Sequence, residues 1–402
     1  MISALRPLPS DFRFVCIIRT VSNDDGTDRY RNEVYPVRTR IAAALTPILG
    51  PIYLPIRNAF WKTVRSGRPV LKAVRRRIVP FRAHRISGPR SVPIGATEMV
   101  VVCMVRDGIE FVDEFVDHYR RLGVKHLFFV DNGSVDGTVE RLRALGDDAT
   151  VYETNLPFMP YKDEIKNWLA LNAAGEGWAL VADIDEFFDY PRSSRVSLAS
   201  FLSYLNERGF SAVTIQMLEM FSAQSPDPPT ETGTFREVYP LYDLAGLTAM
   251  TIDEVNAGRR ERIRGGPEIR WNFGGIQKLV FGTELLLTKA MLFRPALGVW
   301  TSWDHNVQGS VVAADVTGVF YHYKFAGDFR GRALRAVDLG NYDKGSTHYR
   351  NVIAALRGDP GMRLERETTR TLNDVDDLVV LGYLTVSSPY EAFVEGQSER
   401  DE

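Results

Sequence analysis

Asp183-Ile184-Asp185-Glu186 concentrates the chemistry of this chain. The two aspartates are two positions apart, so on an extended backbone their carboxylates point to one side. Like charges placed in this way raise one another's pKa unless a cation joins them. A hard divalent ion such as Mn2+ or Mg2+ resolves that conflict with oxygen ligands, and substrate phosphates complete its shell. Asp-X-Asp also arises by chance, and acids at strand ends are commonly solvated or cap a helix. The surroundings of the stretch must decide.

Those surroundings place it at the end of a strand. Trp178 to Ala182 is an apolar run of the kind that forms a buried strand, and open α/β sheets bind ligands beyond the carboxyl ends of such strands. Upstream, Met99 to Val105 and His126 to Val130 are further apolar strands, and Thr150 to Tyr152 a shorter one. Between them Ile109 to Leu122 carries Phe111, Phe115, Tyr119 and Leu122 at helical spacing, with Gly123 as the stop. Asp136 to Leu145 and Asp163 to Ala174 read as helices. Strand alternating with helix predicts a mainly parallel sheet flanked by helices. Ala212 to Phe221 and Leu279 to Phe293 look like mixed strands and loops, and residues 326–402 look mainly helical.

Other residues also have chemical capacity. Asp131, Asn132, Gly133 and Ser134 form a turn in which Asp131 can accept hydrogen bonds from a ribose or base, Gly133 permits close approach and Ser134 can cap a helix. The same composition suits an ordinary turn. His305 and His322 come late in the chain. A neutral imidazole can complete a metal shell begun by carboxylates, although a histidine among aromatics is more commonly a satisfied core residue. Lys324 follows His322 closely and can stabilise a phosphate leaving group.

The 402 residues are 45% hydrophobic and 25% charged, which allows a sizeable globular core. Two cysteines, Cys16 and Cys103, give no disulfide framework, and Cys103 reads as a buried apolar residue. No run reaches the roughly 18 to 20 apolar residues that span a bilayer, and Met1 to Asp11 lacks the apolar centre of a signal peptide. We expect a cytoplasmic protein. The net charge of −2 conceals an uneven spread, because Arg57 to Arg90 holds eleven Lys or Arg and no acid. Interleaved with apolar residues, this segment suits peripheral contact with an anionic membrane or a partner. A solvated linker is the plain alternative. No nucleic-acid module accompanies it, so nucleic acid is not expected.

The order of Val130-Asp131-Asn132-Gly133-Ser134, Asp136-Gly137-Thr138 and Ala182-Asp183-Ile184-Asp185-Glu186-Phe187 resembles the family 2-like glycosyltransferases of GT-A fold, in the branch whose metal motif reads Asp-X-Asp-Glu-Phe. Arg264-Gly265-Gly266, Lys289, Thr301 to His305, and His322-Tyr323-Lys324-Phe325 with Asp328-Phe329 extend the likeness over about residues 98–350. It departs at Arg106-Asp107, where the branch usually shows Lys-Asn-Glu. The resemblance implies a GT-A-like domain over 96–330, preceded by a basic extension over 1–95 and followed by a helical segment over 331–402. It implies transfer of a hexose from a nucleotide diphosphate sugar to a glycan, lipid-linked or other hydroxyl acceptor, with inversion, in polysaccharide or glycoconjugate synthesis. Asp131, Asn132, Asp183 and Lys324 would then contact the donor. Asp183 and Asp185 would hold the metal, with His322 preferred over His305 as the further ligand.

Inversion needs a carboxylate base, and Glu219 and Asp304 are its candidates. Asp304 can equally orient His305, and Glu219 can be an ordinary strand residue. A glycoside hydrolase also needs two carboxylates but not the nucleotide-type turn. A further alternative is a degenerate transferase-like scaffold that binds a membrane surface or partner through residues 57–90.

Overall fold

The computed structural model describes residues 72–229, 232–256, 264, 269–303, 305–340 and 343–401. All belong to the compact unit Leu71–Glu402. In chain order its first half comprises α1 (72–82), β1 (Ala83–Ser87), β2 (Met99–Val105), α2 (Ile109–Arg121), β3 (His126–Asp131), α3 (Thr138–Arg143), β4 (Ala149–Thr154), α4 (Phe158–Ala173), β5 (Trp178–Val181), β6 (Glu186–Asp189), α5 (Leu198–Glu207) and β7 (Ala212–Glu219). Then follow α6 (Phe235–Val238), β8 (Leu241–Tyr242), β9 (Leu247–Thr251), α7 (Ile252–Asn256), β10 (Arg270–Gly274), α8 (Gly275–Phe281) and β11 (Thr288–Phe293). The remainder is β12 (Val299–Trp303), β13 (Asn306–Gly309), β14 (Gly318–His322), α9 (Phe329–Leu339), α10 (Asp343–Gly358), β15 (Arg370–Thr371), α11 (Val375–Val380) and α12 (Ser388–Asp401).

Nine strands form one sheet in the order β1-β4-β3-β2-β5-β11-β7-β14-β6. The strands β4, β3, β2, β5, β7 and β14 run one way, and β1, β11 and β6 run against them. The chain is therefore α/β, with a mainly parallel sheet flanked by helices. β2 and β5 are buried along their whole length, which is why they read as unbroken apolar runs rather than alternating ones. Cys103 is buried within β2, and burial pushes its thiol well up. From α2, Phe111, Val112, Phe115, Val116 and Tyr119 pack inward. Among the described residues no helix is long and apolar enough to cross a membrane.

Two features depart from the sequence expectation. The sheet reaches back to Ala83, ahead of residue 96, because β1 pairs antiparallel with β4. His84 and Arg85 in β1 are exposed, so the strand lacks the apolar pattern that would have marked it. Helix α4 begins at Phe158 rather than Asp163. Pro160 stands in its first turn, where no backbone N–H is required, so it permits the earlier start. The expected strand over Phe12 to Thr20, Cys16, and the part of the basic segment before residue 72 lie outside the described residues.

A second apolar cluster fixes the C-terminal helices. Phe221, Ile276, Phe281, Phe325, Phe329, Ala333 and Val352 are buried together. They join α8, α9 and α10 at one end of the sheet and so bring the far C-terminal side chains towards the strand ends.

Candidate active site

The carboxyl ends of β2, β3, β4, β5, β7 and β14 share one edge of the sheet, and a cavity of about 420 Å³ opens there. The Asp183–Glu186 stretch forms part of its wall. It is not extended. The Glu186 N–H donates to the Asp183 carbonyl at 3.0 Å, closing a tight turn between β5 and β6. The two aspartates therefore take different partners, contrary to the shared side that an extended chain would give them.

Asp183 is held by two lysines. Lys166 of α4 donates to its Oδ1 at 2.8 Å, and Lys289 of β11 to its Oδ2 at 3.2 Å. Lys289 also donates to Glu186 Oε1, while Glu186 Oε2 accepts the Asp183 N–H at 3.1 Å. Lys289 is 4% exposed and Glu186 1%. Burial by itself would raise the Asp183 carboxyl, but Lys166 and Lys289 hold it well below the usual range. Glu186 is pushed up by burial in spite of Lys289. Two buried cations and two carboxylates thus balance one another. The cation expected from outside is supplied, for Asp183, by the chain itself.

Asp185 has a different neighbour. Its Oδ2 lies 3.4 Å from His322 Nε2, at the end of β14. Strand register sets this contact, since His322 pairs with Glu186 of β6 on one side and Glu219 of β7 on the other. His322 Nδ1 lies 4.0 Å from Glu219 Oε1. Neither His322 Nδ1 nor Glu219 Oε2 has a hydrogen-bond partner among the described residues. Burial would lower the imidazole, but Asp185, Glu186 and Glu219 raise it overall. Burial likewise would raise Asp185, but His322 brings it below its ordinary value. For Glu219 burial prevails over His322 and Lys324, and its carboxyl is raised.

Gln277 of α8 bridges the next contacts. It donates to Glu219 Oε1 and accepts from Lys324 Nζ at 3.1 Å. Gly274 and Gly275 have φ of 93° and 66°, and this turns the chain from β10 into α8 closely enough for Gln277 to reach Glu219. Lys324 Nζ also donates to His348 Nε2 of α10 at 3.0 Å. Burial lowers the Lys324 ammonium despite Glu219 and Asp185. Burial, with Lys324 and His322 adding to it, pushes His348 down to about 3. Arg332 of α9 pairs with Glu110 of α2 and donates to the carbonyls of Lys324 (2.8 Å) and Ala326 (2.6 Å), which ties the β14–α9 loop to α2.

The turn after β3 is directed inward. Asp131 Oδ2 accepts from the N–H groups of Gly133 (2.8 Å) and Ser134 (3.0 Å), and its Oδ1 accepts from the Ser134 hydroxyl. Asn132 Nδ2 donates to the carbonyls of Thr154 (3.2 Å) and Leu156 (2.8 Å). Ser134 Oγ accepts the Asp107 N–H at 2.9 Å, and Asp107 Oδ1 accepts that of Val135 at 2.8 Å. Asp107 sits at φ 51°, a conformation rare for a residue with a side chain.

Asn132, Asp183, Asp185, His322, His305 and Lys324 line the cavity together. The His305 ring lies 3.3 Å from the Thr288 carbonyl. Glu219 is buried behind Gln277 and His322, and Asp131 is buried in its own turn. Asp304, Gly265 and Gly266 lie outside the described residues. Sequence reading missed Lys166, Gln277, His348 and Arg332. It noted Lys289 without assigning it a partner, although a lysine inside the apolar strand Thr288–Phe293 signals a buried acid.

Among the described residues no three His, Cys, Asp or Glu side chains cluster as a metal site. Asp185 and His322 are suitable donors for Mn2+ or Mg2+, and the unpartnered imidazole nitrogen leaves room for the ring to adjust. Two protein ligands suffice only when substrate phosphates and water complete the shell.

No protein family and no curated protein matches the chain. Among solved structures it is similar to S. aureus TarS 1-349, at 13% identity and a TM-score of 0.31, over 65% of this chain and 70% of that one. The same protein in complex with UDP-GlcNAc gives 14% and 0.32, over 64% and 71%. Glucosyl-3-phosphoglycerate synthase from Mycobacterium tuberculosis, in complex with Mn2+, UDP and glucosyl-3-phosphoglycerate, gives 16% and 0.21, over 33% and 52%. Likeness this slight decides nothing about the site, whose chemistry rests on its own residues.

Proposed function

We propose that the chain is a glycosyltransferase that takes a hexose from a nucleotide diphosphate sugar and gives it to an acceptor hydroxyl on a glycan or lipid-linked carrier, as in polysaccharide or glycoconjugate synthesis. The observation that carries this is the Asp185–His322 pair, 3.4 Å apart, facing a cavity that Arg106, Lys162, Lys324 and Arg332 also line. Such cations at the carboxyl edge of parallel strands suit a diphosphate. A second cavity of about 340 Å³ shares Arg106, Asn132 and Phe158 with the first and extends beside β4, giving room for a nucleoside.

Glycosyl transfer builds negative charge on the departing diphosphate. Lys324, buried and held by Gln277 and His348, is positioned to stabilise that charge without reorganising. A divalent cation on Asp185 and His322 would screen the same charge as a Lewis acid and template. Phe329, Leu286 and Tyr349 give the cavity an apolar side suited to an acceptor. Glu219 stands behind the wall, so its part is to orient His322 and Lys324. Proton removal, and with it inversion, passes on residue type to Asp304.

The test is release of sugar from nucleotide sugars by the full chain, with manganese and without acceptor. Release that stops on chelation supports the proposal. No release, together with no binding of uridine or guanosine diphosphate, would refute it and favour a scaffold.

A further inference from the structure

The basic segment has a defined place on the domain from residue 72 onward. In α1, Val79 is buried and Ile78 half-buried, so that side packs on the domain. The opposite arc carries Arg76, Arg77, Val74 and Phe81, all exposed. Helical spacing puts Val74, Arg77 and Phe81 on one stripe. Phe81 is 78% exposed and Val74 49%, high values for large apolar side chains. Lys72, Arg75, Arg76, Arg77, Arg82, Arg85 and Arg90 lie in a stretch without any acid.

The helix also sits beside the candidate site. Arg75 lies over the Tyr161 ring of α4 at 5.7 Å, and Arg82 donates to Asn155 Oδ1 at 2.9 Å. Helix α4 supplies Phe158, Lys162 and Lys166 to the larger cavity, and Asn155 and Met159 line the smaller one. Met159 is itself 44% exposed.

Cations alone would suit any polyanion. Cations mixed with exposed aromatic and aliphatic side chains on one helical face suit an interface in which head groups meet the charge and acyl chains receive the apolar tips. We propose that the exposed face of α1 docks on an anionic lipid surface, with Arg76 and Arg77 at the head groups and Val74 and Phe81 inserted. Docking there holds the nearby cavities next to the membrane. This inference stands without the transfer chemistry, because none of these four residues lines either of the two cavities described above.

The experiment is flotation of the full chain with vesicles of phosphatidylcholine mixed with phosphatidylglycerol, and with phosphatidylcholine alone. The parent should float with the anionic vesicles only, and less as salt rises. Arg76→Ala with Arg77→Ala should cut partitioning roughly thirty-fold, taking about fivefold per cation. Val74→Ser with Phe81→Ser should cut it by about tenfold. Both variants should keep the parent's melting temperature and its sugar release in solution, so failure of docking and failure of the transferase proposal are told apart. Equal flotation of parent and variants would overturn the inference. So would tight binding to single-stranded RNA that ignores Phe81→Ser, which would assign the face to nucleic-acid phosphates.

Discussion

Asp183 and Asp185 are two residues apart and live in different electrostatic worlds. Asp183 lines the cavity but is charge-balanced, with an ammonium on each oxygen and Glu186 completing the balance. Asp185 faces an imidazole at 3.4 Å whose other nitrogen has no hydrogen-bond partner among the described residues, above a glutamate with one oxygen that likewise has none. A saturated cluster resists change and holds shape. An incompletely satisfied one costs stability and is tolerated where something else is to bind. In the proposed transferase, Asp183 is the anchor of the turn and Asp185 its working end.

The largest expected effect breaks the working end. Asp185→Ala should lower manganese-dependent sugar release on the order of a thousandfold, while the melting temperature stays within a few degrees. If release persists with its metal dependence unchanged, Asp185 is not the working carboxylate. Breaking the anchor should do the opposite. Lys289→Met leaves Asp183 and Glu186 short of a cation, and denaturant unfolding should show a loss of about 3 to 5 kcal/mol. A stable Lys289→Met protein that has lost only donor binding would place Lys289 on the working side instead.

A smaller effect comes from behind the turn, where His118 lies 2.7 Å from the Phe188 carbonyl and packs on Phe187. Burial pushes its imidazole down to about 4. The folded value lies below the unfolded one, near 6.5, so the neutral ring's contribution is complete above about pH 6.5 and is lost as pH falls towards 4. His118→Gln should flatten the stability loss across that window by roughly 3 kcal/mol at most. An unchanged slope would show that His118 titrates normally. The smallest effect is at the β3 turn. Asp131→Ala removes acceptors for two N–H groups and should cost about 1 to 2 kcal/mol, with donor affinity little changed. A selective loss of donor affinity would return Asp131 to the nucleoside.

The sequence made the frame legible where residues act locally. The apolar runs of β2, β3 and β5 mark the sheet, Asp183–Glu186 stands out from its place at a strand end, and His322 from its residue type and the family resemblance. The partners were hidden because they arrive from afar. Lys166 lies 17 positions before Asp183, Lys289 lies 106 after it, and Gln277 lies 58 beyond Glu219. On α4 a lysine reads like a solvated one until the fold brings an acid to it. The turn at Asp183 was also hidden, because period-two spacing presumes an extended chain and a single hydrogen bond from Glu186 ends that extension. At Asp131 the residue types allow either a ligand contact or a self-contained turn, and in the fold its oxygens are engaged by Gly133 and Ser134.

The most direct test of the central claim is thermal unfolding of the full chain against a panel of uridine and guanosine diphosphate sugars with manganese, run beside Asp185→Ala. At least one donor should raise the parent's melting temperature, and chelation or Asp185→Ala should remove that rise. A panel that stabilises neither protein, or stabilises both alike, would contradict the account.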